Sequence, residues 1–186
     1  WRVELLDSYK AHRVAADGSE DEPDSLGAQV GIIIDVLAAI GITRVGAADY
    51  EADDVIGTLA QKAEKAGFEV FMMTPDKDFG QLVTEKIKMY RPGRGGAPAE
   101  VWGVAEVCER WGIQHVDQVV DMLGLMGDAV DNIPGIPSVG EKTAAKLLAE
   151  YGSLEAILEA TPLSASSFFA TFSSSLTLLL LSLLEV

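Results

Sequence analysis

Residues 52–78 read ADDVIGTLAQKAEKAGFEVFMMTPDKD, and this run decides the fold. Ala52 to Ala66 has the apolar spacing of an amphipathic helix, and Gly67 stands where such a helix closes. Glu69 to Thr74 is a short apolar run that suits a buried strand. Asp76 and Asp78 follow at its carboxyl end. Upstream, Ile42 to Val45 reads as another short strand, so strand, helix and strand fall within about thirty residues. That is a βαβ unit, and it predicts a parallel sheet with helices on its faces. Open sheets of this kind bind ligands beyond the carboxyl ends of their strands, where the two aspartates sit.

Outward from this unit the pattern stays regular. Leu26 to Ile40 repeats apolar residues at helical spacing, and Gly41 marks its end. Ile87 to Tyr90 suits a further strand and is followed by a turn-rich stretch, Arg91 to Pro98. Helices are predicted over Val104–Trp111, Val116–Met126, Glu141–Glu150 and Leu154–Ala160. Gly127 to Val139, interrupted by proline and glycine, is expected to be a loop. The reading is an α/β core over residues 1–100 and a helical subdomain over 101–160. Asp17 to Asp24 is acidic and polar, in keeping with a mobile loop. Residues 161–186 form a Ser/Leu-rich tail with no charge up to Leu184. Phe168 to Leu184 approaches membrane-spanning length, but threonine and three consecutive serines interrupt it and no basic flank follows. No membrane association is expected. A buried terminal helix or a segment outside the fold suits the tail better.

The 186 residues allow one medium domain, or one with a small appendage, and 48% hydrophobic content is enough for a core. A single cysteine, Cys108, excludes a disulfide framework. With no secretory signal, a cytoplasmic monomer is expected. The chain starts at Trp1 rather than Met, as a fragment would. A net charge of −15 argues against bulk attraction to nucleic acid. It does not exclude a local site, because carboxylates neutralised by bound metal do not repel a phosphate.

Seven acids fall in three tight groups: Glu51, Asp53 and Asp54; Asp76 and Asp78; Asp128 and Asp131. No nearby basic residue is evidently placed to neutralise them. Carboxylates this close repel one another, and a divalent cation relieves that repulsion. All-oxygen donors suit hard ions such as Mg²⁺ or Mn²⁺. Each group also has a plainer reading. Acids at the opening of a helix favour the macrodipole and cap free N–H groups. Glu51 and Asp54 share a helix face, whereas Asp53 points elsewhere. Asp76 and Asp78 are also ordinary turn residues.

Asp128 and Asp131 lie in a string that runs on through Ile136, Pro137, Ser138, Val139 and Gly140 into a helix opening with Lys142 and Thr143. Free N–H groups and the dipole at such an opening suit a phosphate. This is the pattern of a helix-hairpin-helix element, which grips a nucleic-acid backbone without reading bases.

YEADD, a strand followed by DKD, then GDAVDNIPG leading into GEKTA and KLL, together resemble the 5′ nuclease family. That family includes the 5′→3′ exonuclease domain of bacterial DNA polymerase I, stand-alone bacterial exonucleases and flap endonucleases. The resemblance covers about Trp1 to Ala160. It implies a PIN-like α/β fold with a helical arch, partly represented by residues 1–25. It also implies two Mg²⁺ or Mn²⁺ ions held by Glu51, Asp53, Asp54, Asp76, Asp78, Asp128 and Asp131. A K⁺-assisted hairpin over Ser138, Val139, Gly140, Lys142 and Thr143 would bind duplex. The substrate implied is DNA with a 5′ end or flap, processed in replication and repair near the bacterial nucleoid. Tyr9, Lys10 and Arg13 resemble the family's Y-K-x-x-R run: Tyr9 to stack on a base, Lys10 and Arg13 to hold the scissile phosphate. Read without the family, Lys10, His12 and Arg13 are a small basic surface patch. The family's first strand, with its own metal-binding Asp, and a second Asp before the arch would precede Trp1.

Two other classes are weighed. A haloacid-dehalogenase-type phosphatase also uses D-x-D, but wants Thr or Val two residues on, and here Phe79 and Gly80 follow. A catalytically incomplete fragment that binds DNA structures is the non-enzyme reading.

Overall fold

The computed structural model describes residues 2–13, 24–93 and 95–160. The acidic stretch beyond Asp17 and the tail at 161–186 lie outside them, apart from Asp24. Four helices precede or flank the sheet: α1 (Arg2–Leu5), α2 (Asp24–Ala39), α3 (Ala52–Lys65) and α4 (Val104–Trp111). The strands are β1 (Val70–Met73), β2 (Ile87–Arg91) and β3 (Glu100–Trp102). Beyond α4 come α5 (Gln118–Met126), a two-residue strand pair β4 (Gly127–Asp128) and β5 (Ile133–Pro134), α6 (Glu141–Tyr151) and α7 (Leu154–Ala160).

The α/β class is as expected, but the sheet is mixed. β1 and β2 run parallel, with Val70 opposite Ile87, while β3 pairs antiparallel on the other side of β2. Central β2 is buried, with Ile87 and Met89 essentially inaccessible. Lys77–Leu82 forms a 3₁₀ helix between β1 and β2, and Asp76 caps it by accepting from the Asp78 N–H at 3.0 Å.

The strand expected at Ile42–Val45 does not form. A strand exists only through pairing, and residues 42–47 join no ladder. Ile42 instead donates its N–H to the Leu37 carbonyl as α2 unwinds past Gly41. The parallel neighbour of β1 is therefore β2, not an upstream strand. In the same region Ile32, Ile33, Val36, Ile40 and Val45 are exposed, as are Phe71 and Met73 on β1.

Among the described residues the buried apolar side chains, Tyr9 apart, form one cluster. It runs from Ala60 and Met72 through Met89, Val107 and Trp111 to Met122, Leu125, Leu148 and Leu154. The core thus crosses from the sheet into the helical half. At about 25 cal/mol per Å² of apolar area removed from water, that continuity fixes the hairpin between α5 and α6 relative to β1.

The expected loop at 127–139 holds the β4–β5 pair, made possible by a close backbone approach. A Cβ at Gly135 would lie 2.0 Å from the Met126 carbonyl oxygen, and one at Gly127 would lie 2.2 Å from the Gly135 nitrogen. Only glycine fits either position.

Candidate metal and nucleic-acid site

Each acidic group is delivered by a local device. Asp54 sits at the third position of α3 and accepts the Glu51 N–H at 2.9 Å, so part of this group does cap the helix. Asp76 and Asp78 leave the end of β1 through the 3₁₀ cap. Asp128 Oδ1 accepts the Val130 N–H at 2.7 Å and the Asp131 N–H at 3.3 Å, which folds the β4–β5 turn and presents both aspartates on one side.

The core brings these devices together. One cavity is lined by Glu51, Asp53, Asp54, Asp78, Asp128 and Asp131. An adjoining one is lined by Asp53, Asp76, Asp78, Asp128 and Asp131, with Lys10, Arg13 and Lys77. All seven predicted acids therefore face one continuous pocket, and four of them line both parts.

The expectation that no basic residue neutralises the acids is wrong. Arg2 grips Asp54 with two hydrogen bonds, Nη1 to Oδ2 at 2.9 Å and Nη2 to Oδ1 at 2.5 Å. Lys10 Nζ lies 2.6 Å from Glu51 and 3.8 Å from Asp131. Arg13 Nη2 meets Asp131 at 2.8 Å and also the Val130 carbonyl at 2.9 Å. Lys77 Nζ reaches Asp78 at 2.8 Å and Asp128 at 3.2 Å. Arg2 escaped the sequence reading because no local signal ties it to Asp54, 52 positions away. Lys77 lies between two aspartates in the sequence, but nothing local signals its bond to Asp128, 51 positions away.

Burial and charge set the acidities. Burial pushes the Asp53 carboxyl up, and the nearby Asp76 and Glu51 charges add to the rise. Asp78 is also pushed up by burial, against the pull of Lys77. For Asp128, burial opposes ionisation, but Lys77 and two backbone N–H groups outweigh it and hold the carboxyl low. Tyr9 is pushed up to about 12, by burial first and by the Asp131 and Glu51 charges.

Tyr9 requires a correction. Its residue is only 8% exposed, its hydroxyl donates to Glu51 at 3.1 Å, and Lys10 Nζ stands 4.8 Å from the ring centroid. A ring enclosed in this way offers no open face for a base. Lys10 and Arg13 are not a detached surface patch either, since both point into the acidic pocket. His12 is exposed, as expected.

The donor set suits a hard divalent cation in kind, being all carboxylate. It is not a closed cage: among the described residues no group of three is close enough to hold an ion as it stands. The cationic side chains lie between the carboxylates.

The predicted hairpin follows directly from the acidic turn. Ser138 adopts a left-handed φ of 67°, Val139 donates to Ile136 at 3.0 Å, and Gly140 caps α6 without a side-chain bond. Lys142 and Thr143 are exposed in the first turn. No described helix is long and apolar enough to cross a membrane.

Comparison with known proteins fits this geometry. A family model described as the 5'-3' exonuclease N-terminal resolvase-like domain matches residues 1–112, and one described as the 5'-3' exonuclease C-terminal SAM fold matches 114–178. The second reaches into the Ser/Leu-rich tail. A 5'-3' exonuclease of Streptomyces coelicolor is 44% identical over 164 residues, covering 84% of this chain and 53% of its own length. The DNA polymerase I of Bacillus subtilis is 46% identical over 142 residues, covering 76% and 16%. This chain therefore spans about half of one relative and a small part of the other.

Among solved structures, a bacteriophage T5 5'-exonuclease with bound zinc superposes with a TM-score of 0.71 at 21% identity, covering 98% of this chain and 68% of that one. The T5 flap endonuclease in a pseudo-enzyme-product complex with DNA and metal ions gives 0.71 at 20% identity, covering 100% and 68%. Matched along most of its length by two models in the order its fold requires, and by relatives above 40% identity, this chain belongs to the 5′-3′ exonuclease family.

Proposed function

We propose that this chain is the nuclease part of a metal-dependent 5′→3′ exonuclease or flap endonuclease. It hydrolyses DNA phosphodiesters near 5′ ends in replication and repair. The observation that carries this reading is the convergence of seven acids, from three separate segments, on one pocket at the carboxyl end of β1. The T5 neighbour crystallised with DNA and metal ions supports the choice of substrate and cofactor class.

Asp53, Asp76, Asp78 and Asp128 would hold the divalent cations, Mg²⁺ or Mn²⁺. When bound, such ions activate water at neutral pH and offset charge on the attacking and leaving oxygens. Asp131 stands beside them but is already shared by Lys10 and Arg13. Glu51 and Asp54 shape the wall of the pocket and hold Lys10 and Arg2 in place. Lys10 and Arg13 offset charge on the scissile phosphate from the same rim. Residues 1–100 form the catalytic part and 101–160 the duplex-binding part. Within the latter, the 138–143 turn seats a backbone phosphate on the N–H groups of α6, with K⁺ as the ion suited to its carbonyls.

The test is cleavage of a 5′-flap duplex with Mg²⁺ or Mn²⁺ and with chelator, beside a small phosphate ester. Metal-dependent flap cleavage, lost in Asp78→Asn with binding retained, is the expected result. Cleavage of the ester alone would point to a phosphatase. Flap binding without turnover would leave a DNA structure-binding fragment.

A further inference from the structure

The pocket carries its own counter-ion at the position where a cation is most wanted. Lys77 belongs to the 3₁₀ helix after β1, yet its ammonium joins Asp78 of that helix to Asp128 of β4, 51 positions along the chain. Asp128 is well enclosed, with a side chain 13% exposed, and Lys77 itself is only 42% exposed. The Lys77 ammonium also lies 6.0 Å from the Trp111 ring centroid, against the core. The neighbouring Asp53 and Asp76 have no ion pair among the described residues, and although Lys10 and Arg13 line the same cavity, Lys77 is the one described cation paired with Asp78 and Asp128.

A divalent ion bound to carboxylate oxygens sits about 2.0–2.1 Å from them. An ammonium held at 2.8 Å and 3.2 Å from the same two side chains fills that space. An ion bridging those same two oxygens and the ammonium compete for one space, and their like charges add repulsion. Lysine suits such a role because its charge rides on a flexible four-carbon stem and leaves without disturbing the backbone. Arg2 does not have that freedom, being bound through two nitrogens to a carboxylate 3% exposed.

We propose that Lys77 is a built-in placeholder. It keeps Asp78 and Asp128 together before a divalent cation arrives, must swing out when one binds, and so sets the concentration at which the site fills. This makes Lys77 a positioning residue acting through two carboxylates. The inference rests on the metal-site reading given above.

The test is direct Mn²⁺ binding to the full chain without DNA, by electron paramagnetic resonance or calorimetry, with thermal unfolding in parallel. Lys77→Met keeps the stem and removes the charge. It is expected to bind Mn²⁺ about tenfold more tightly than the parent. Its melting temperature should be lower without metal, with the gap closing at saturating Mn²⁺. Unchanged or weaker binding by a folded Lys77→Met overturns the placeholder. Should that variant not fold, Lys77→Arg decides: its guanidinium holds the two carboxylates more firmly, so weaker Mn²⁺ binding supports the proposal and equal or tighter binding sinks it. If the parent itself binds no Mn²⁺, the metal-site reading fails and the placeholder with it. Binding by the parent that is equalled by Lys77→Met removes the placeholder alone.

Discussion

The two sides of the acidic pocket are balanced by opposite means. On one side Glu51, Asp54 and Asp131 meet three cations from the N-terminal segment, Arg2, Lys10 and Arg13, reached across 41 to 118 positions of chain. On the other, Asp78 and Asp128 share the single Lys77, and Asp53 and Asp76 have no ion pair among the described residues. The first side is a structural clasp: its charges are paired, partly buried and hydrogen-bonded, so they hold the N-terminal segment against α3. The second leaves Asp53 and Asp78 with raised pKa values, by burial first and then by the charges of neighbouring carboxylates, Asp76 among them. Repulsion that the fold leaves uncompensated is where a metal ion gains most.

Substitutions on the two sides should therefore fail differently. Asn at Asp76 or Asp78 is expected to cut flap cleavage by about 10²–10³-fold or more, the equivalent of several kcal/mol of metal-based stabilisation, with little loss of DNA binding. Single-turnover cleavage against a binding titration measures this, and retained cleavage would erase the distinction between the sides. Arg2→Ala should act on stability instead. It leaves the Asp54 carboxylate buried without its partner, at a cost of about 3 kcal/mol in urea unfolding. A change below about 0.5 kcal/mol would show that the clasp holds nothing.

The turn that presents Asp128 and Asp131 to both sides can be tested separately. Gly135→Ala forces a methyl group against the Met126 carbonyl and should cost about 1–3 kcal/mol or more, weakening both sides together.

The smallest effect is expected at Asp121, a carboxylate outside the pocket with no ion pair among the described residues. Burial, then Glu155 and Asp117, pushes it up to about 6, although the Leu154 backbone opposes the shift. A group whose native value is raised holds its proton longer when folded. Its contribution to stability is therefore lost as pH rises from about 4 to 6. Partial exposure limits the loss to about 1 kcal/mol. Asp121→Asn should flatten that part of the stability profile, and an unchanged slope between pH 4 and 6 would rule the shift out.

Most helices were legible because each announces itself locally. Val104–Trp111 and Leu154–Ala160 form as the spacing predicts, and Gly67, at φ 94°, closes α3 as expected. Where neighbours decide, the reading failed. Ile42–Val45 has strand composition but finds nothing to pair with. Glu100–Trp102 lacks a strong pattern and becomes β3 because the edge of β2 is there to receive it. Burial was equally hidden: Tyr9 reads as a ring for stacking on a base and is enclosed.

The sequence by itself determined the acids, their order along the chain and the family, because residue type, spacing and motif are local properties of the chain. Tertiary structure alone decided which cation meets which carboxylate. Lys77 bridges Asp78 and Asp128, and Arg2 closes on Asp54, only because the shared core folds distant segments to within hydrogen-bond reach. Coulombic attraction depends on distance through space, and separation along the chain says almost nothing about that.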